Sequence, residues 1–163
     1  MAFLLDSDVF IRAKNQHYGF DFCPAFWEWL ERENRDARVF SVEKVEDELK
    51  VQEDELTEWA ARLGTGFFLR PSQGTLPALG RVSEWVTTQQ YSATAISVFL
   101  QAADYYLVGE ALARGAVVVT HEVGANTANK VKIPNACISL GIKCVTPFEM
   151  LRLEHARFDL RSS

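Results

Sequence analysis

The sequence predicts an α/β fold in which helices cover both faces of a parallel sheet. The chain has 163 residues, enough for one domain to bury a sizeable core. Short apolar runs of strand length alternate from end to end with segments whose apolar residues repeat at helical spacing. No internal repeat, low-complexity tract or Pro/Gly-rich linker divides the sequence. Such alternation is typical of parallel sheets whose crossovers are helices.

The first half of the chain has clear signals for the beginning and end of its elements. A fully apolar first strand, Phe3–Leu5, stops at Asp6. Pro24 opens an aromatic-rich helix because proline is tolerated in a first turn, and Gly64 ends a later helix as its C-terminal cap. The predicted strands of this half cover residues 3–5, 38–42 and 67–69, and its predicted helices cover 9–13, a segment from Pro24, 42–49 and 56–63.

The second half contains the clearest helix–strand unit. Asp104 stands at the start of a helical apolar stripe that Gly115 closes, and residues 116–120 then form a predicted buried strand. A polar loop leads to Pro134, which opens a helix to about residue 140, and Pro147 opens a terminal helix. Apolar stripes predict two earlier helices around 79–86 and 96–100, and a last strand covers 143–146.

Composition excludes several classes of protein. The hydrophobic fraction of 48% and the charged fraction of 24% are ordinary for a folded domain and too apolar for a disordered chain. The apolar start is cut by Asp6, far short of the ~20 residues of a membrane span, and it lacks the basic region of a secretory signal. Cys23, Cys137 and Cys144 are odd in number without CxxC spacing. We therefore expect three reduced thiols in a cytoplasmic protein.

Acidic side chains gather at the predicted carboxyl ends of strands, where open parallel sheets form their sites. Asp6 and Asp8 follow the first strand, and His121 and Glu122 follow the strand over 116–120. Asp104 begins the helix that feeds that strand. The helix after the second strand contributes one further acid, Glu48, next to the core position Leu49.

Converging carboxylates need protonation or a cation, because two unit charges about 4 Å apart repel by ~4 kcal/mol at an effective dielectric near 20. Ligands that are all oxygen favour Mg²⁺ or Mn²⁺ over zinc. Such an ion polarises a phosphoryl oxygen and activates a water. The formal net charge of −5 argues against nucleic-acid binding unless a bound cation supplies local positive charge.

Four segments resemble the PIN-domain nucleases. Residues 4–10, LLDSDVF, resemble the PIN opening LLDTNVF, and Glu48-Leu49 resembles the second acidic position on an early helix. Residues 103–107, ADYYL, and 118–122, VVTHE, are similar to the third and fourth positions. The order and spacing of these segments extend the resemblance over nearly the whole chain, and it is nearest to small standalone bacterial PIN proteins.

The resemblance implies a three-layer PIN-like fold with a parallel sheet of about five strands and helices on both faces. It further implies a Mg²⁺- or Mn²⁺-dependent endoribonuclease, the toxin of a toxin–antitoxin pair, whose partners are an RNA substrate and a cognate antitoxin protein; we also expect a homodimer. The implied catalytic residues are Asp6, Glu48, Asp104 and Glu122, of which Asp6, Asp104 and Glu122 are the expected metal ligands.

The chain departs from the PIN pattern at three positions. Asp8 replaces the usual Asn and adds an auxiliary ligand, while Glu122 replaces the usual Asp and reaches one methylene further. Gly124 occupies the position of a fifth acid that some members carry. Thr120 and His121 are the other expected auxiliary residues.

Each acidic position also has a non-catalytic interpretation. Asp104 would be an N-cap, and Asp6 a solvated turn residue. Glu48 would lie on a solvated, acid-rich helix face and Glu122 would be an ordinary loop acid. A histidine such as His121 more often has a surface or packing role than that of a base.

Two further groups of residues also have alternative interpretations. Lys130 and Lys132 are the predicted RNA phosphate-binding residues, with a solvated loop as the alternative. Four tryptophans at helical core spacing favour core or dimer packing over base stacking: Trp27, Trp29, Trp59 and Trp85.

Two rival functions remain open from sequence. The pair Asp6 and Asp8 also resembles the DxD start of haloacid-dehalogenase phosphatases, in which the first Asp is the nucleophile. A catalytically degraded PIN domain would instead bind RNA or a partner protein without cleavage. For the domain organisation we predict a single PIN-like domain over residues 1–153 and a C-terminal tail, prone to fraying, over 154–163.

Overall fold

A five-stranded parallel sheet forms the centre of the computed structural model, which describes residues 1–161. The strand order is β3-β2-β1-β4-β5, and each neighbouring pair is parallel. The predicted α/β class and sheet are therefore confirmed. The strands are β1 (Phe3–Leu5), β2 (Val39–Val42), β3 (Phe68–Leu69), β4 (Val117–Val119) and β5 (Cys144–Val145).

Helices connect the strands and cover the sheet. A π-helical turn, Ala13–His17, extends the first helix. The α-helices of the described residues are α1 (Ser7–Arg12), α2 (Pro24–Arg35), α3 (Glu43–Leu49), α4 (Glu55–Leu63), α5 (Thr75–Thr88), α6 (Ala93–Gln101), α7 (Ala103–Arg114), α8 (Ile133–Leu140) and α9 (Pro147–Leu153).

Local residues explain where several helices begin and end. Asp54 caps α4 by accepting hydrogen bonds from the amides of Leu56 and Thr57, which satisfies donors that no helical carbonyl can reach. Pro24 lies in the first turn of α2, as predicted. Gly115 ends α7 with φ of 66°, a left-handed conformation that costs glycine little.

The core lies on both sides of the central strand β1, whose three residues are fully buried. On one side, the Phe10 ring packs 5.8–6.0 Å from the rings of Trp59, Phe67 and Phe68. Three of the four tryptophans (Trp27, Trp29 and Trp59) are buried, which agrees with the predicted core role. The fourth, Trp85, is only half-buried and borders a surface pocket.

The sheet order creates a crevice at the carboxyl end of β1. The chain passes from β1 outward through β2 and β3 and then returns to place β4 on the other side of β1. In open parallel sheets, such a reversal of strand order leaves a ligand-binding crevice above the strand ends. Asp6 follows β1 directly and Thr120 follows β4 directly, so both lie at this crevice.

The segment after α9 turns back along the domain. Phe158 is half-buried, and its ring lies 5.9 Å from that of Tyr18 and 6.2 Å from that of Phe26. The domain boundary at residue 153 stays a prediction, and residues 162 and 163 of the predicted tail lie outside the described residues. Among residues 1–161, no helix has the length and apolar character that a membrane crossing requires.

Candidate active site

An open pocket of about 470 Å³ lies at the carboxyl ends of β1 and β4. It gathers seven of the nine side chains that the sequence singled out, and they come from four separate segments of the chain. The residues that line it are Asp6, Ser7, Asp8, Arg12, Asp104, His121, Glu122, Val123, Lys130 and Lys132.

Asp6 is buried at the floor of this pocket, with 4% of its surface exposed. It is the N-cap of α1, and its Oδ1 accepts a 2.8 Å hydrogen bond from the amide of Ser7. Its Oδ2 accepts a 2.8 Å hydrogen bond from the hydroxyl of Thr120. Neighbouring donors therefore hold both oxygens of the buried Asp6 carboxyl, which excludes the interpretation of Asp6 as a solvated turn residue.

Burial raises the pKa of the Asp6 carboxyl well above its ordinary value. The negative charges of Asp8, Asp104 and Glu122 raise this pKa further, while the hydrogen bond from Thr120 lowers it. These opposing effects show that the carboxylates are close enough to repel one another.

Asp8 and His121 join the first turn of α1 to the loop after β4. The Asp8 Oδ1 accepts a 3.3 Å hydrogen bond from the His121 amide, and its Oδ2 lies 3.4 Å from the Thr120 hydroxyl. The His121 ring packs against those of His17 and Phe148, at 5.6 Å from each. Burial lowers the pKa of the His121 imidazole and outweighs the nearby Asp8 charge, so the neutral ring is favoured.

Asp104 is the second residue of α7, and the N-cap position is occupied by Ala102. The interpretation of Asp104 as an N-cap is therefore wrong. Burial raises its pKa to about 7, and the charges of Glu122 and Glu48 contribute to the rise. Lys130 opposes it. A positive charge added near Asp104 would favour the ionised form of its carboxyl group.

Glu122 extends from the loop after β4 with one oxygen satisfied and one free. Its Oε2 lies 3.4 Å from the amide of Ile133 at the start of α8. Its Oε1 is buried and has no hydrogen-bond donor among the described residues, although the Lys130 Nζ lies 3.7 Å away. A buried, unsatisfied carboxylate oxygen is costly in a folded protein and marks a position where a cation would be stabilised.

Glu48 does not line the pocket but supports it from α3. Its Oε2 accepts a 2.7 Å hydrogen bond from the Ser7 hydroxyl, and its Oε1 lies 3.4 Å from the Ala103 amide. The residue as a whole is exposed, as the solvated-face interpretation expected. Its carboxylate nevertheless joins the residue after Asp6 to the helix that carries Asp104.

The two predicted phosphate-binding lysines lie at the rim. The Lys130 side chain is 61% exposed, and Lys132 is the residue before α8. Both line the same pocket as the acids, so positive charge faces the entrance while negative charge occupies the floor.

Comparison with known proteins places the chain in a family. Residues 3–158 match the family described as "Domain of unknown function (DUF4411)". The chain belongs to this family. No curated protein matches the sequence of this DUF4411 chain.

A solved structure is similar in fold. The DUF4411 chain superposes with a TM-score of 0.54 on a chain of VapBC2 from Rickettsia felis, a complex bound to a DNA fragment from their promoter. The two chains are 13% identical over 90% of the DUF4411 chain and 98% of the other. This likeness concerns the fold, and it confirms the predicted PIN-like architecture.

Sequence reasoning missed two residues of the DUF4411 pocket. Ser7 donates the hydrogen bond to Glu48, and Arg12 brings a guanidinium to the pocket wall. Arg12 lies four residues after Asp8 on α1, and this spacing puts both side chains on one helix face. The Asp8–Arg12 spacing was thus a usable signal, whereas the Ser7–Glu48 pairing had no signal in the sequence.

The donor set of the DUF4411 pocket fits a hard divalent cation. Carboxylate oxygens from Asp6, Asp8, Asp104 and Glu122 are the available ligands, and Mg²⁺ and Mn²⁺ prefer oxygen. Within residues 1–161, no three acidic, histidine or cysteine side chains already stand in a closed coordination cluster. The Thr120 hydroxyl donates to Asp6, and the Oε1 of Glu122 is buried without a hydrogen-bond donor, which makes it the carboxylate oxygen best placed to gain from a cation.

Proposed function

We propose that this protein is a Mg²⁺- or Mn²⁺-dependent endoribonuclease that hydrolyses RNA phosphodiester bonds. One observation carries the proposal: carboxyl groups from distant segments share one pocket, where burial and neighbouring negative charges raise the pKa of Asp6 and of Asp104 beneath a rim of lysines. Carboxyl groups that disfavour one another's ionised form reduce the stability of the fold. Such clusters are typical of functional sites.

Asp6, Asp104 and Glu122 would hold the ion, with Asp8 as an auxiliary ligand and Glu48 as an indirect support. When bound, a divalent cation supplies a polarised phosphoryl oxygen and a more acidic water for in-line attack. Asp6 would keep the hydrogen bond that its Oδ2 accepts from Thr120, and this bond would orient its carboxylate toward the ion.

The other pocket residues would bind and orient RNA. Lys130 and Lys132 place ammonium groups at the rim, where they neutralise phosphate charge that the acidic floor would otherwise repel. His121 lies on the pocket wall, and burial favours its neutral imidazole, which carries one nitrogen that donates and one that accepts a hydrogen bond. Its backbone amide holds Asp8 in place.

We propose further that the protein is the cytoplasmic toxin of a toxin–antitoxin pair and forms a homodimer. The likeness in fold to a chain of the VapBC2 complex supports an antitoxin partner by analogy. The tail segment that packs on α2 through Phe158 lies outside the proposed catalytic pocket. Partner binding there would leave the site itself unchanged.

The haloacid-dehalogenase alternative requires Asp6 as an ionised nucleophile. Here both oxygens of Asp6 accept hydrogen bonds, and burial together with neighbouring charges favours its neutral form without a cation. A metal ligand needs the same ionised carboxylate, so the two functions are separated by their substrates. A phosphatase would release phosphate from a small phosphomonoester, and the proposed nuclease would not.

The direct test is cleavage of structured RNA by the purified protein with Mg²⁺, with Mn²⁺ and with a chelator. We expect cleavage only with metal. Asp6→Asn and Asp104→Asn should each remove most of it, and the double variant should be little worse because ligands of one ion act as a unit.

The matched control is Asp36→Asn, which changes an exposed aspartate after α2 and should retain full activity. Binding of RNA without cleavage under any metal condition would support the degraded, non-catalytic alternative. Additive losses in the double variant would contradict a shared ion.

A further inference from the structure

A second open pocket, of about 660 Å³, lies beyond the loop that follows β4. Its walls come from the end of α5, the connection over 89–91 that leads to α6, the loop over 125–128 and one side of α8. We call it the neutral pocket, because none of the described residues that line it carries a charge. Its volume is in the range of small-ligand sites.

Hydrogen bonds hold the walls of the neutral pocket in place. The Ser92 amide donates a 2.9 Å hydrogen bond to the Ala128 carbonyl, which joins the start of α6 to the loop. The Asn135 Oδ1 accepts a 3.0 Å hydrogen bond from the Ala125 amide, which joins the same loop to α8. The pocket is therefore preformed, and a ligand would lose little affinity to the ordering of the loop.

Aromatic and amide groups dominate the lining. The rings of Trp85 and Tyr91 lie 6.0 Å apart at 69°, so they meet edge to face and do not stack on each other. Gln90 and Asn126 are exposed and present amide donors and acceptors, and Ile138 is 80% exposed at the border. Planar rings beside amides are the groups that bind unpaired nucleobases, by stacking and by hydrogen bonds to base edges.

The absence of charge among these lining residues decides what part of a ligand fits. A phosphate would need lysine, arginine or a helix amino end, and a basic peptide would need carboxylates. The proposed catalytic pocket offers such charges, and the neutral pocket does not. The charges of the catalytic pocket therefore suit a phosphate, and the uncharged lining of the neutral pocket suits a nucleobase.

The loop after β4 connects the two pockets. Glu122 lines the catalytic pocket, and Asn126, four positions later in the chain, lines the neutral pocket. Four residues span at most roughly 14 Å. One flexible nucleic-acid strand is able to occupy both pockets at this separation.

We propose that the neutral pocket binds an unpaired nucleobase of the RNA strand whose phosphate enters the catalytic pocket. The choice of RNA as ligand rests on the proposed function. Single-stranded or looped RNA is therefore the substrate class, because a base inside a duplex cannot stack on Trp85 or Tyr91.

Tryptophan emission tests this proposal in chelator, without cleavage. Trp85 is half-buried while the other three tryptophans are buried, so a base stacked on Trp85 should quench its emission selectively. The probes are a short single-stranded RNA, the same RNA as a full duplex, free nucleosides and maltose. We expect quenching by the single strand and, at higher concentration, by nucleosides, and its loss in Trp85→Phe.

Two exposed-residue variants extend the test without touching the core. Asn126→Ala and Gln90→Ala should together weaken single-strand binding about tenfold, whereas Gln52→Ala, an exposed amide elsewhere, should leave it unchanged. Equal quenching by duplex and single strand, quenching by maltose alone, or no quenching by any probe would overturn the proposal.

The outcome also separates this proposal from the proposed function. Metal-dependent RNA cleavage with no quenching would overturn the nucleobase site and leave the nuclease proposal standing. Quenching by single strands that are not cleaved with any metal would support the nucleobase site and contradict the nuclease proposal.

Discussion

The Thr120 hydroxyl donates a 2.8 Å hydrogen bond to the Asp6 carboxylate across 114 residues of sequence. Both groups are almost fully buried, and they stand at the ends of adjacent strands, β4 and β1. Thr120 also receives a 3.0 Å hydrogen bond from the Glu122 amide. One hydroxyl thus links two of the proposed metal ligands.

Thr120→Val should therefore lower the free energy of unfolding by about 1–3 kcal/mol, because a buried carboxyl oxygen loses its donor. It should also weaken Mn²⁺ binding, since the hydrogen bond that lowers the pKa of Asp6 is lost. Urea denaturation and metal titration measure the two effects. Thr120→Ser keeps the hydroxyl and serves as the control; an equal loss in both variants would show that the methyl group, not the hydrogen bond, matters.

Because the carboxylates repel one another, we expect the wild type and Asp104→Asn to exchange their order of thermal stability between chelator and excess Mn²⁺. At pH 8 in chelator, Asp104 is ionised above its pKa of about 7, and this ionisation opposes folding because the pKa is 3.8 in the unfolded chain. Asp104→Asn should melt at or above the wild-type temperature. In excess Mn²⁺ the wild type should melt higher, with a gain of ~2.7 kcal/mol at a hundredfold excess over Kd.

Thermal melts of both proteins in both buffers measure this reversal. Lowering the pH from 8 to 5 in chelator should stabilise the wild type relative to Asp104→Asn, since the acid becomes protonated. An equal Mn²⁺ shift in the two proteins would contradict the proposed ion site.

The rim lysines should affect RNA binding through charge alone. Changing Lys130 and Lys132 together to Ala should weaken binding similarly across sequences and reduce the salt dependence, with a slope change of roughly 1.4 for two phosphate contacts on a single strand. The control is Lys143→Ala, at the amino end of β5 on the opposite edge of the sheet. Binding measured at several salt concentrations in chelator gives the slope, and an unchanged slope would return these lysines to a solvated-loop role.

The cap of α4 gives a pH-dependent stability prediction away from the site. Although burial acts to raise the pKa of Asp54, the hydrogen bonds from Lys14 and the Thr57 amide lower it overall. A lowered pKa stabilises the fold above the unfolded value of 3.8, and the contribution is lost as the pH falls through the folded value.

Asp54→Asn retains a good cap but loses the ion pair with Lys14. We expect a loss of about 0.2–1 kcal/mol at pH 7 that shrinks below pH 4, measured by urea denaturation at several pH values. Lys14→Met should show the same loss at pH 7. A difference that persists unchanged at pH 3 would assign the effect to the cap and not to the charge.

The elements were largely predictable because their signals are local. Pro24 and Pro147 mark helix starts and Gly115 marks a helix end, and each acts within a few residues of its own position. Buried apolar runs such as Phe3–Leu5 predicted strands in the same way. The acids that follow those strands were predictable too, since parallel strands end at one edge of the sheet.

The sequence by itself thus determined the α/β class, the order of elements and the candidate acids. Only the tertiary structure decided which of those acids meet: β4 lies beside β1, so Thr120 reaches Asp6, while Glu48 supports the pocket through Ser7 and the Ala103 amide. The neutral pocket, too, depends on contacts between distant segments, such as the hydrogen bond from the Ser92 amide to the Ala128 carbonyl. The physical reason is that periodicity and capping act over one or two turns, whereas these hydrogen bonds join segments whose proximity depends on strand order and helix packing.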